Sequence, residues 1–206
     1  CFGGETDAYM TLTHSGVKSG DPARYNYLKN TLVNKDMSIQ ANYEEAKEYI
    51  DVEKFMDYLM VIWSMGGTDW PNNNFYGGNR NNPAEPFSYY TWDGEASWDI
   101  NKGALDGAWV HPLFKSNASG TEPISKLWHS LRENSEFMQL FVDRVNLQFF
   151  NNGPLSDNAS RERWAVVNQY IESAGIAESA RWGDAVNSNQ PRTKDYDWAT
   201  EVSRVD

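Results

Sequence analysis

Cysteine is nearly missing from this chain of 206 residues: Cys1 stands alone. That excludes an internal disulfide and a cysteine-based zinc site, and nothing reports an oxidising compartment. Basic side chains are outnumbered, 18 Lys and Arg against 29 Asp and Glu, for a formal charge of −11. Such a surface repels polyanions within a Debye length, so gripping nucleic acid or anionic lipid is excluded as a role of the whole chain. No apolar run approaches the roughly 18 residues of a candidate membrane span. No basic-then-apolar leader opens the sequence, but a start at Cys1-Phe2-Gly3-Gly4 reads as an internal piece of a longer polypeptide, so this says little about location. His14, His111 and His129 are scattered without metal-ligand spacing.

What is present argues for order. Hydrophobic residues make up 40% and aromatic residues 14%, enough for one domain, 1–206, with a substantial core. The segment to about Gly20 reads as turn-rich and polar. Asp21-Pro22 then opens a helix with Tyr25, Leu28, Leu32 and Val33 on one face. Asn42 is expected to cap a shorter helix over 43–50. Asp51 caps a long one, whose apolar residues Val52, Phe55, Met56, Leu59, Met60, Ile62 and Trp63 recur at three- and four-residue intervals until Gly66-Gly67.

After Phe75-Tyr76, the run from Gly77 to Pro83 reads as a turn, and Phe87 to Trp92 is rich in strand formers. Residues 94–122 show no sustained period, as in a long functional loop. Helices are expected over 123–131, after Asn134 with Phe137, Leu140, Phe141, Val145, Leu147, Phe149 and Phe150 as the apolar face, and after Ser156, the last carrying Trp164, Val167, Tyr170 and Ile171. Asn151-Asn152-Gly153-Pro154 separates the last two, Gly175 reads as a break before 176–182, and a last helix is still running at Val205. The fold class is mainly α with a small central β-hairpin.

One stretch carries chemistry. Pro71 keeps the segment after Gly66 irregular, which sets Asp69 and Asn74 on one loop, and a hairpin returns Asp93 beside Asn74. An Asp, an Asn five residues on and a second Asp at a strand end are the parts with which a kinase-like site orients a hydroxyl and holds Mg²⁺. The same residues also serve as ordinary turn formers, satisfying local backbone N–H groups.

At Thr68-Asp69-Trp70-Pro71 and again at Trp92-Asp93-Gly94-Glu95 the sequence resembles the CotH kinase family, the spore-coat-protein-H-like proteins of bacteria. The likeness continues through Asn134-Ser135-Glu136-Phe137, Leu140 to Val145, Phe149 to Gly153 and Glu178 to Asp184. It implies the larger, C-terminal lobe of an atypical protein kinase-like fold, ATP with Mg²⁺ or Mn²⁺ as cofactors, and transfer of the γ-phosphate to Ser or Thr of a partner protein. Asp69 then stands as the catalytic-loop Asp, Asn74 and Asp93 as the metal- and nucleotide-binding pair. Glu95 is placed to reach a second metal, or the same one through water.

The sequence departs from a complete kinase pattern. No Gly-x-Gly-x-x-Gly loop occurs, nor a strand lysine upstream of a helix with a partner Glu, and Thr68 stands where an Arg usually precedes the catalytic Asp. The smaller lobe is therefore expected upstream, with this piece inactive alone.

Two other readings stay open. A non-catalytic, kinase-like binding module of a surface or carbohydrate-associated protein would use the Trp and Tyr content, with Trp70, Phe75, Tyr76 and Trp98 free to line a pocket. A carboxylate-pair glycoside hydrolase would need two acids facing each other across a cleft. Trp63, Phe137, Phe141 and Trp164 fall on helical positions and read as core. Arg181, Trp182 and Asp184 read as a buried structural pair. An acidic, Asn- and Trp-rich surface leans towards an extracytoplasmic, cell-surface setting in a bacterium.

Overall fold

The computed structural model of the chain describes residues 8–66, 70–71, 73–81, 83–94, 123–185 and 187–205. Among them it is mostly helical, with one antiparallel four-stranded sheet. The strands are β1 (Tyr9–Thr13), β2 (Gly16–Ser19), β3 (Phe75–Arg80) and β4 (Ser88–Thr91), in the order β2-β1-β3-β4. The helices are α1 (Ala23–Asn30), α2 (Gln40–Tyr49), α3 (Val52–Met65), α4 (Pro123–Leu131), α5 (Ser135–Phe149), α6 (Asp157–Trp182) and α7 (Ala199–Val205). The chain divides into two compact units, Cys1–Val145 and Asn146–Asp206. No described helix is long and apolar enough to cross a membrane.

The core of the first unit lies between the sheet and α3. Along β1, Met10 and Leu12 are fully buried while Thr11 is exposed, the period-two pattern of a half-buried strand. Phe75, Gly77 and Tyr89 share that inner face, and the Tyr89 ring meets Phe55 and Tyr58 of α3 at centroid distances of 5.8 and 5.9 Å. Asp51 closes the first turn of α3 by accepting a hydrogen bond from the Lys54 amide at 3.1 Å, and Gly66 ends the helix in the left-handed region at φ 64°. The junction of α2 and α3 is tied to the entrance of β4. Phe87 donates its amide to the Tyr49 carbonyl at 2.7 Å, and Asp51 donates to the Phe87 carbonyl at 3.0 Å.

Several expectations change. The opening segment is not a string of turns: it forms β1 and β2, and β1 pairs with β3, so the central hairpin becomes part of a four-stranded sheet. Gly77 and Gly78 lie inside β3, and the turn comes after Arg80. Both glycines answer to packing. A Cβ at Gly77 would sit 3.0 Å from the Tyr89 ring, and one at Gly78 only 2.7 Å from the Met10 carbonyl oxygen. Helix α2 begins at Gln40, and Asn42 inside it donates its side-chain amide to the Asp36 carbonyl at 2.8 Å instead of capping.

Around α4 the aromatic residues pack as core. Trp63 and Trp128 meet edge to face at 5.0 Å, with Phe141 5.1 Å from Trp128. Asn134 caps α5 with its Oδ1, which accepts from the Glu136 and Phe137 amides, while its Nδ2 donates to the Met37 carbonyl at 3.0 Å. Arg144 of α5 reaches α3, pairing with Asp57 through two nitrogens and with Glu53 at 2.8 Å.

In the second unit, Asn151 and Asn152 take left-handed conformations before Gly153. Helix α6 then runs unbroken through Gly175. A lone glycine costs a helix only about 1 kcal/mol without removing any hydrogen bond, and Pro is absent from α6. No residue of this helix is fully buried, Val167 and Tyr170 are exposed, and Trp164, expected in the core, is only half-buried. Arg181 is no buried ion pair; it is exposed and lies over the Trp182 ring at 5.0 Å, and Asp184 is exposed.

Candidate functional site

The hairpin delivers two of the sequence-predicted residues to one place. Phe75 of β3 faces Thr91 of β4, so the residues just outside this last pair, Asn74 and Asp93, lie at the same end of the sheet. The Asn74 side-chain amide donates to the Asp93 carbonyl at 3.1 Å. Both residues hold left-handed backbone, φ 59° at Asn74 and 55° at Asp93. Asn and Asp tolerate that region better than other non-glycine residues. The Asp93 side chain is exposed at the surface, and so is neighbouring Trp92 at 56%.

Asp69 and Glu95 lie outside the described residues, as do Trp98 and most of the long aperiodic stretch. Among the described residues no three His, Cys, Asp or Glu side chains cluster tightly enough to hold a metal ion by themselves. Asn74 and Asp93 offer an amide oxygen and a carboxylate, oxygen donors of the kind that Mg²⁺ takes. That ion is commonly held by one or two protein oxygens, its remaining positions filled by phosphates and water.

Beside this end a cavity of about 500 Å³ opens on the outer face of the sheet. Strand register explains its shape. Tyr76 and Tyr90 are cross-strand partners and form one wall. One row further, Thr11, Gly78 and Ser88 are paired across three strands, and all are small. Beyond them Tyr9 stands opposite Arg80. A band of small residues between two bands of large ones makes a groove across the strands, with the Gly78 position as its floor.

The first turn of α3 borders this groove through Asp51 and Lys54. Their side chains pair at 2.8 Å. Partial burial pushes the Asp51 carboxyl up, but hydrogen bonds from the Lys54 ammonium and backbone amide outweigh it and hold the group below its ordinary range. The Lys54 ammonium is correspondingly raised by its bond to Asp51.

Of the aromatics expected to line a pocket, Tyr76 does so, 39% exposed, and meets Trp92 edge to face at 4.9 Å. Trp70 and Phe75 do not. Both are buried, and the Trp70 indole donates to the Tyr58 hydroxyl at 2.5 Å. Tyr90, Thr11 and Ser88 were not singled out from the sequence. Their signal is alternation: Ser88 and Tyr90 occupy the odd positions of β4, and Thr11 the outward position of a strand hidden in a segment that reads as turns.

A family model described as CotH kinase protein matches residues 4–201, nearly the whole chain. No curated protein and no solved structure matches it.

Proposed function

The chain belongs to the CotH kinase family, and from that premise we propose that it forms the larger lobe of an ATP-dependent protein kinase. In this reading Asn74 and Asp93 hold a divalent cation and the phosphates of ATP, and Asp69 serves the acceptor. A divalent cation held there, Mg²⁺ or Mn²⁺, would supply charge neutralisation for the phosphates, and ATP would supply the transferable phosphoryl group. Asp69 would orient the hydroxyl of a Ser or Thr in a partner protein and would take up its proton as the new oxygen–phosphorus bond forms and the bond to the leaving ADP breaks. Glu95 supports the cation directly or through water. A bacterial, extracytoplasmic or cell-surface setting accords with the acidic composition.

The observation that carries this reading is the convergence of Asn74 and Asp93 at one strand end, hydrogen-bonded and both left-handed. Calorimetric titration of ATP, with and without Mg²⁺, into the natural protein containing this sequence tests it. Metal-dependent binding is expected, and Asp93→Ala is expected to abolish it while the variant stays folded. Binding unaffected by Asp93→Ala would refute the assignment.

A second reading, a binding module without chemistry, is favoured by the exposed aromatics Tyr76, Tyr90 and Trp92. It requires affinity for a saccharide that a chelator leaves unchanged, with no metal-dependent binding of ATP.

A further inference from the structure

We propose that the groove on the outer sheet face is an anion site, taking the single carboxylate of a small ligand between the Arg80 guanidinium and the Ser88 hydroxyl. The inference does not rest on the nucleotide reading above, since it needs neither Asn74, Asp93 nor a divalent cation.

The arginine is the first support. Arg80 is half-buried in the wall of the groove. Among the described residues its guanidinium has no ion pair and no hydrogen bond, and its Nε is shut away from solvent without an acceptor. Glu85 belongs to the same lining, yet its link to Arg80 is through the backbone, its amide donating to the Arg80 carbonyl at 2.8 Å. Lys54, the other cation of the lining, is already paired with Asp51. A guanidinium half withdrawn from water and left unpaired gains more from an arriving anion than one on an open surface, because the local dielectric is lower.

The second support is the neighbour across the strands. Register sets Ser88 opposite Gly78, two residues before Arg80 on β3. Diagonal neighbours of this kind lie about 7–8 Å apart, a gap that an arginine side chain and one bridging carboxylate can span. Ser88 is 7% exposed, and among the described residues its hydroxyl has no hydrogen bond. Gly78 places no side chain between the two. A carboxylate has two oxygens and can accept from guanidinium and hydroxyl at once.

Charge is the third. The lining sets Asp51 and Glu85 against Lys54 and Arg80, in a chain whose net charge is −11. One negative charge on the ligand pairs Arg80. A second would find no unpaired cation in the lining and would be repelled by Glu85 and by the chain as a whole, which favours a monocarboxylate over phosphate or sulfate. A cavity of about 500 Å³ has the size of a small-molecule pocket.

The test is an NMR titration of the natural protein containing this sequence, in buffer free of divalent cations, following the Arg80 Nε–H signal and the Gly78 and Ser88 amides. The probes are glucuronate and phenylacetate, their neutral counterparts glucose and phenylacetamide, and sulfate. Each acid is expected to bind about tenfold more tightly than its neutral counterpart, or better, the ratio that a charge-assisted hydrogen bond supports. Whichever acid binds more tightly shows whether the body of the ligand is polar or apolar, and either supports the site. Arg80→Gln is expected to remove the preference for the acid. Arg80→Lys is expected to keep part of it, since an ammonium retains the charge without the fork of donors. Amide spectra of both variants report whether the fold is kept.

Acid and neutral probes of equal affinity, a preference that survives Arg80→Gln, or no perturbation at Arg80 by either acid would overturn the proposal. Sulfate binding more tightly than both acids would overturn it as well, by showing a site for a dianion. ATP enters none of these readouts, so the nucleotide reading stands or falls separately.

Discussion

Asp51 does two things at once: it caps α3 and pairs with Lys54 at the border of the groove. A carboxyl held below its ordinary value contributes stability that is complete above the unfolded-state pKa and fades as pH falls through the folded-state one. Asp51→Ala is therefore expected to cost about 1 kcal/mol near neutrality, and the difference from wild type to shrink below about pH 4; urea unfolding at several pH values measures both. Tyr89 gives the opposite case. Its ring is core, but its hydroxyl is buried without a hydrogen-bond partner among the described residues, and burial raises its pKa well above the ordinary tyrosine value. An unsatisfied buried polar group costs on the order of 1–3 kcal/mol. Tyr89→Phe is expected to leave the protein as stable or to raise its stability by about 1 kcal/mol, and a clear loss in urea unfolding would show that the hydroxyl has a partner. Residue-scale features such as the Asp51 and Asn134 caps were legible in the sequence, because a cap acts on amides two or three residues away. The Trp70–Tyr58 hydrogen bond was not, because it joins residues brought together only by the packing of Trp70 against α3.

At the scale of elements, glycine decides where local reading succeeds. Gly66 stands after a periodic helix and ends it in the left-handed region, as the pattern implies. Gly77 and Gly78 resemble a turn by composition, yet the Met10 carbonyl of β1 leaves no room for a side chain at Gly78 and the Tyr89 and Leu12 side chains crowd Gly77, and none of these neighbours is visible locally. Adding a side chain tests this: Gly78→Val drives a Cβ to within 2.7 Å of the Met10 carbonyl oxygen and is expected to destabilise the sheet by about 1–3 kcal/mol in chemical denaturation. Gly175 differs, since a Cβ there would meet only the Lys194 stem at 3.6 Å, an ordinary contact. Gly175→Ala is expected to stabilise α6 by up to about 1 kcal/mol, and a loss would mean that the helix does bend there. The hairpin that joins Asn74 to Asp93 was legible from two runs of strand formers. Its extension by β1 and β2, and with it the groove, was hidden because a five-residue strand leaves too short an alternation to stand out among Gly, Ser and Thr.

Across the whole molecule, burial is uneven. Helix α3 buries seven of its residues and α6 none. Backbone amides of α6 are expected to exchange with deuterium well before those of α3, since local opening is easiest where few apolar contacts oppose it; equal protection would mean that α6 has cover not apparent from its own side chains. A cation-dependent nucleotide site at Asn74 and Asp93 would occupy one place on this molecule, so a measurement with spatial resolution is needed. Paramagnetic broadening of backbone amide NMR signals by Mn²⁺, recorded with and without ATP on the natural protein containing this sequence, is the most direct. ATP-dependent broadening centred on Asn74, Tyr76 and Asp93 is expected, and Asp93→Ala is expected to remove it; broadening centred elsewhere, or unchanged by that substitution, would rule the site out.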